Sequence, residues 1–297
     1  MQRIILILIG TFFLNFLFGQ SNYEKFKVLF QKDDTLKIKS LMKEWEKTGT
    51  EEPEFYTSYS NYYFSQSKQE LLSIQNQKPN GKSLQFEDKS GNTQGFISSN
   101  ISYDSLKTLK AINYLDQAIE KFPNRLDIRF GKCYILEQTN DYSNFTKTLI
   151  ETIEYSRVNN NNWLWMNNVK QKKGEEFLLS NIQNYLNQLY ETQDDSLLQF
   201  MIQIGDKALE IYPKNIEIRT TTSVAYLSKN NSDKALEYLK LAENINPKDC
   251  IVINNIAQTY KIKGDKLNAI IYYKKAEKFG DKEMKKFAKQ NIKELEK

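Results

Sequence analysis

The sequence predicts an all-α solenoid of about six helical hairpins, with a small β-hairpin insertion and a C-terminal capping helix. Three observations predict it. Tyr226 and Tyr260, Ala235 and Ala269, Leu239 and Tyr273, and Ala242 and Ala276 are each 34 positions apart, and Pro247 follows the first set. An aromatic, small residues at fixed offsets and a closing proline mark a helix–turn–helix unit that must stack on neighbours to bury its apolar face. The 18 Tyr and 17 Phe against 11 Gly and 5 Pro fit packed helices better than turn-rich β structure. Finally, residues 83–99 alternate apolar and polar around Lys89-Ser-Gly-Asn, a turn sequence, as a β-hairpin does.

Residues 1–20 read as an export signal. One arginine precedes an apolar run from Ile4 to Phe18 that ends at Gly19-Gln20. The run is short for a membrane span, which needs about 20 residues, and Asn15 interrupts it. No transmembrane span is expected after signal removal. The expected location is the periplasm or cell surface, with an N-terminal membrane anchor as the alternative. No cysteine follows the run, so no lipid anchor is expected there.

Residues 21–158 form the diverged N-terminal repeats. A first helix runs from Tyr23 to Gln31, and Asp34 caps the next, Thr35–Lys47. Pro53 opens an aromatic-rich helix expected to reach about Asn76, where Lys78-Pro79-Asn80-Gly81 stops it. Phe55, Tyr59, Tyr62 and Tyr63 share one face, as core or as groove lining. After the hairpin, helix Asp104–Phe122 carries Ala111, Leu115 and Ala118 at core positions. Leu126–Glu137 and Tyr142–Arg157 form the third pair, with Cys133 at a small-residue position. Residues 159–174 break the period with Asn159–Asn162, Trp163 and Trp165. An Asn cluster favours a loop, so the two tryptophans either plug a seam or form an exposed aromatic patch. Residues 175–297 hold the C-terminal repeats. They run through Glu175–Tyr190, Ser196–Tyr212, Asn215–Pro247 and Asp249–Gly280 to a capping helix with Met284, Phe287, Ala288 and Ile292 on one side.

The chain has no histidine and a net charge of +5 from interleaved Lys and Glu. Histidine-based catalysis and ligation are absent. The dispersed charge does not make a nucleic-acid face. Cys133 and Cys250 have no CxxC spacing, so no metal is expected and both thiols read as free. Asp33-Asp34, Glu51-Glu52, Glu175-Glu176 and Asp194-Asp195 sit at turns or helix starts, where carboxylates cap and favour the dipole. No catalytic residue, metal or cofactor is expected, and the chain does not read as an enzyme.

Tyr226, Ala235, Ala242 and Pro247, then Ala257, Tyr260, Gly264, Ala269, Tyr273 and Ala276, resemble the tetratricopeptide repeat family. The arrangement as a whole looks like exported Bacteroidota repeat proteins without an assigned activity. The resemblance implies a TPR-like groove that binds a peptide or partner protein. The implied contact residues are Glu217, Thr220, Thr221 and Val224, then Ile251, Asn254, Asn255, Gln258 and Lys261. Asn255 sits where family members often bond a ligand backbone. The basic residues of the family's carboxylate clamp are not assembled. A glycan or small-ligand site on Trp163 and Trp165 is the alternative.

Overall fold

The computed structural model describes residues 21–79 and 83–297. The expected export signal and the Asn80-Gly81 step lie outside them. Six antiparallel helix pairs follow in order: α1 (Asn22–Gln31) with α2 (Thr35–Trp45), α3 (Pro53–Ser67) with α4 (Ser105–Lys121), and α5 (Leu126–Gln138) with α6 (Tyr142–Val158). Then come α7 (Gly174–Glu191) with α8 (Leu198–Ile211), α9 (Ile216–Ser228) with α10 (Ser232–Ile245), and α11 (Cys250–Ile262) with α12 (Lys266–Phe279). Helix α13 (Lys282–Leu295) closes the stack. First helices touch first helices (α7 with α9, α9 with α11) and second touch second (α6 with α8), so the solenoid has two layers.

One local device makes five of the six turns. A residue in the left-handed region ends the first helix: Asp33 (φ 52°), Asn140 (57°), Gln193 (58°), Asn230 (60°) and Gly264 (77°). The next residue is Asp or Asn, and its side chain accepts from the new helix. Asp34 takes Lys37 N at 3.2 Å, Asp141 takes Asn144 N at 3.2 Å, and Asp194 takes Ser196 N at 2.9 Å. Asn231 takes Lys234 N and Asp265 takes Asn268 N, both at 3.1 Å. Left-handed backbone reverses the chain, and the cap satisfies a donor the helix start would leave bare.

The exception is the second pair. The expected hairpin is present, but it belongs to a three-stranded antiparallel sheet of β1 (Lys68–Gln75), β2 (Ser83–Glu87) and β3 (Thr93–Tyr103), in the order β1-β3-β2. Helix α3 therefore stops at Ser67, not near Asn76. The reason is backbone accounting. Strand β3 is central: β2 pairs with one edge along 93–98, and residues 68–75 satisfy the other edge along 96–103. At the turn, Asp88 accepts from Ser90 N at 2.8 Å and Asn92 N at 2.9 Å. Tyr103 roots the sheet by stacking on Phe64 at 5.0 Å.

Asn160, Asn161, Asn167 and Asn168 of the irregular segment all take left-handed backbone, which Asn tolerates better than most residues. Between them, β4 (Leu164–Trp165) pairs with β5 (Val169–Lys170). Trp163 is fully buried and donates to Asn161 Oδ1 at 3.3 Å. Gly174 is fixed here by proximity, since a Cβ would lie 1.9 Å from the Asn161 carbonyl.

The two halves pack differently. Trp45, Phe55, Tyr56, Tyr59 and Tyr62 fill the N-terminal core, and Tyr59 donates its hydroxyl to the Met42 carbonyl at 2.5 Å. In the C-terminal units Ala235, Ala242, Ala257, Ala269 and Ala276 are fully buried, letting backbones approach closely. On α13, Ala288 is buried and Met284 and Ile292 are half-buried, but Phe287 stays exposed against the edge of Tyr273.

Candidate functional site

The sequence-expected contact residues lie on the first helices α9 and α11. Glu217 and Ile251 are exposed; Thr220, Thr221, Val224, Asn254, Asn255 and Gln258 are half-buried. Each set follows one stagger, the second helical residue and then three, four and seven positions on, which keeps one helical face. Thr220 donates to the Ile216 carbonyl at 2.8 Å. Thr221 Oγ1 accepts from Gln183 of α7 at 2.6 Å, tying the first helices α7 and α9 into one wall. The Oδ1 of Asn254 is buried and has no hydrogen-bond partner among the described residues.

Three expectations change. Lys261 is not free for a ligand: it donates to Asn291 Oδ1 at 2.7 Å and pairs with Glu294 at 3.1 Å, both on the capping helix. Trp163 does not belong to an exposed patch, because the seam beside α6 swallows its ring against Tyr155 at 5.9 Å and beneath the Arg129 guanidinium. Trp165 is half-buried and meets Phe177 edge-on at 5.1 Å, so the two tryptophans share no surface.

The same stagger on the N-terminal first helices builds a pocket that the sequence reading passed over. Glu54, Thr57 and Asn61 of α3 face Asp127, Gly131 and Tyr134 of α5 across a cavity of about 260 Å³. Tyr23 of α1 and the Trp165-Met166 step also line it. Counting the offsets of Glu217, Thr220, Thr221 and Val224 onto the helices that begin at Pro53 and Leu126 finds these six residues of α3 and α5, together with Ser58 and Phe130, which do not line the pocket. The weak repeat match there hid them.

Arg125 organises this pocket. Its side chain is almost wholly buried, and it pairs with Asp127 through both carboxylate oxygens, at 2.9 and 2.8 Å. It reaches Glu54 Oε1 at 2.9 Å and Asn168 Oδ1 at 3.3 Å. Burial opposes the guanidinium charge, but the bonds to Asp127 and Glu54 outweigh it and raise the pKa. Backbone N–H of Asn167 also donates to Glu54 Oε1, at 3.1 Å. Burial raises the pKa of the Tyr23 hydroxyl; Lys27 opposes the rise and the Glu54 charge adds to it.

Of the acid pairs, Asp34 and Asp194 cap helices, and Glu175 and Glu176 sit in the first turn of α7. Glu52 accepts from the Trp45 indole at 3.1 Å. Both cysteines are free, Cys133 buried and Cys250 half-buried.

A tetratricopeptide-repeat family model matches residues 218–249 and 252–279. The chain contains tetratricopeptide repeats. Among solved structures it is similar to the Sgt2 TPR domain from Aspergillus fumigatus, at 21% identity over 39% of this chain and 78% of that one, with a TM-score of 0.35. It is also similar to YrrB, described as a TPR protein with an unusual peptide-binding site, at 16% identity over 62% and 84% of the two chains, with a TM-score of 0.38. A thermophilic TPR protein of Thermus thermophilus aligns at 14% identity over 63% and 91%, with a TM-score of 0.37. No curated protein sequence matches the chain. Among the described residues no helix is long and apolar enough to cross a membrane.

Proposed function

We propose that this protein is an exported scaffold that holds an extended peptide segment of a partner protein along its first-helix wall. The tetratricopeptide units supply the general mode, since solenoids of this kind present long binding surfaces. The observation that carries the reading is the row of half-buried Thr220, Thr221, Asn254, Asn255 and Gln258, in one register on α9 and α11 of the wall formed by α7, α9 and α11. A row of half-buried Thr, Asn and Gln suits a backbone more than an apolar ligand. The proposal includes no bond-making chemistry, in keeping with the capping and first-turn positions of Asp34, Asp194, Glu175 and Glu176. Burial of Trp163 removes half of the aromatic pair on which a glycan reading would stand.

The test is selection from a displayed peptide library with residues 21–297. Selected peptides should lose affinity by about tenfold or more when Asn254→Ala and Asn255→Ala are combined, with the melting temperature unchanged. Peptides that bind both forms equally reject the site. Export rests on residues 1–20. Fractionation of producing cells, with sequencing of the mature N-terminus, should find processed protein outside the cytoplasm. Full-length protein retained inside rejects export.

A further inference from the structure

The pocket between α3 and α5 has a charge imbalance. Its charged wall residues are Glu54, Asp127 and Arg125, one guanidinium against two carboxylates. Asp127 spends both oxygens on Arg125. Glu54 uses Oε1 for both Arg125 and Asn167 N, and its Oε2 accepts nothing among the described residues. Lys27, whose ammonium lies 5.1 Å from the Tyr23 ring centre, is already paired with Glu24 at 2.7 Å. Glu54 is half-buried, and the site holds one negative charge in excess of its single guanidinium.

Two further observations point to a ligand. Ser60 lines the same cavity, is 1% exposed, and its Oγ has no hydrogen-bond partner among the described residues. Four aromatic residues line it beside aliphatic Leu115, Ile128 and Ile135: Tyr23, Phe64, Tyr134 and Trp165, with Phe64 and Tyr134 in edge contact at 6.0 Å. Aromatic faces attract cations, and more strongly where water is thinned out. The volume of about 260 Å³ falls below the ~300–1,000 Å³ of ordinary small-molecule sites. It suits one long side chain.

We propose that this pocket receives a cationic side chain, lysine or arginine, from the bound peptide, with Glu54 Oε2 as counter-ion, Ser60 Oγ as hydrogen-bond acceptor and the aromatic walls around the cation. The assignment rests on the reading of the first-helix wall as a peptide site and places one specificity contact at its N-terminal end. The charge preference is opposite to that of a clamp for an acidic terminus.

The experiment uses residues 21–297 and two probes, N-acetyl-arginine amide and its uncharged counterpart N-acetyl-norleucine amide, titrated by calorimetry and by tryptophan fluorescence. Trp45 and Trp163 are fully buried elsewhere, so Trp165 reports on this wall. Arginine amide should bind saturably in the millimolar range and shift the fluorescence, and norleucine amide should do neither. Glu54→Gln should weaken binding by about tenfold or more. Because Glu54→Gln also loosens Arg125, a second variant is needed. Gly131→Leu fills the pocket from a position where a Cβ meets only Leu115 Cδ1, at 4.0 Å. It leaves every charge in place and should abolish binding. Asn254→Ala should leave arginine-amide binding intact. Equal binding of the two probes, or full affinity in both Glu54→Gln and Gly131→Leu, overturns the inference while leaving the α9–α11 reading to its own test.

Discussion

The α3/α4 pair and the α11/α12 pair solve one packing problem with opposite means. In α11/α12 Ala257, Ala269 and Ala276 are fully buried beside Ile253, and Tyr273 is the fully buried ring among them. In α3/α4 the buried apolar positions of the first helix are Phe55, Tyr56, Tyr59 and Tyr62, and the buried alanines, Ala111 and Ala118, are on the second helix. Small residues fix a short interhelix distance, and the repeat can then be copied. Large rings fill a wider gap one by one, and each needs its own neighbours: Phe55 alone meets Trp45, Tyr56, Tyr59 and Tyr114. The regular repeat is thus legible at 34-residue spacing where alanines carry it, and fades where aromatics do.

The contrast can be broken most sharply with the two thiols. Burial pushes the Cys133 thiol far up, and Cys250 lies half-exposed at the start of α11. A thiol reagent should label Cys250 in the native protein and Cys133 only on unfolding, as mass spectrometry of the digest would show. Native labelling of both would mean that the core built by α5–α8 is not sealed.

Truncation comes next. Phe55→Ala should cost about 3–5 kcal/mol, measured by chemical denaturation, and should lower the transition of the N-terminal pairs more than that of α9–α13. The converse is Ala242→Leu, where no room exists. Overpacking should cost about 1–3 kcal/mol and act on the C-terminal pairs. If each variant moved the whole molecule equally, the halves would be one cooperative unit and not two packing regimes.

The smallest effect sharpens what the halves share. Hydrogen bonds hold the capping carboxyls of Asp34, Asp194 and Asp265 below the ordinary aspartate range, chiefly through Lys37, Ser196 and Asn268 in turn. A depressed folded pKa means the stabilisation is complete above the unfolded value of about 3.9 and is lost as pH falls through the folded value. Thermal melts from pH 5 down to pH 2 should therefore fall at both ends of the chain, and Asp265→Asn should flatten the C-terminal part of that fall. An unchanged profile in Asp265→Asn rejects the cap as its source.

How far the residues spoke for themselves varied with the range of the forces. The caps were readable because Asp34 and Asp194 act within three residues of themselves. The recurring pair of a left-handed residue and an Asx cap was present in the chain as Asn140-Asp141, Asn230-Asn231 and Gly264-Asp265 as well. The end of α3 was not readable. Residues 68–75 are strand only because β3, paired with them from Gln75 with Phe96 to Lys68 with Tyr103, offers them a ladder. Trp163 and Trp165 are two residues apart and meet different fates, one sealed against Tyr155 and one at a pocket wall. The pocket itself joins Glu54, Arg125 and Asn167, which are brought together across 113 positions of sequence.

What the chain determined on its own is the helical repeat, its turns and its stacking mode, because apolar periodicity, left-handed Asx residues and N-caps are local and each is strong enough to act alone. Tertiary structure decided where a charge is left uncompensated, which tryptophan is sealed, and which lysine is claimed by the final helix. Those outcomes depend on burial and on partners distant in sequence, and neither is written in any single segment.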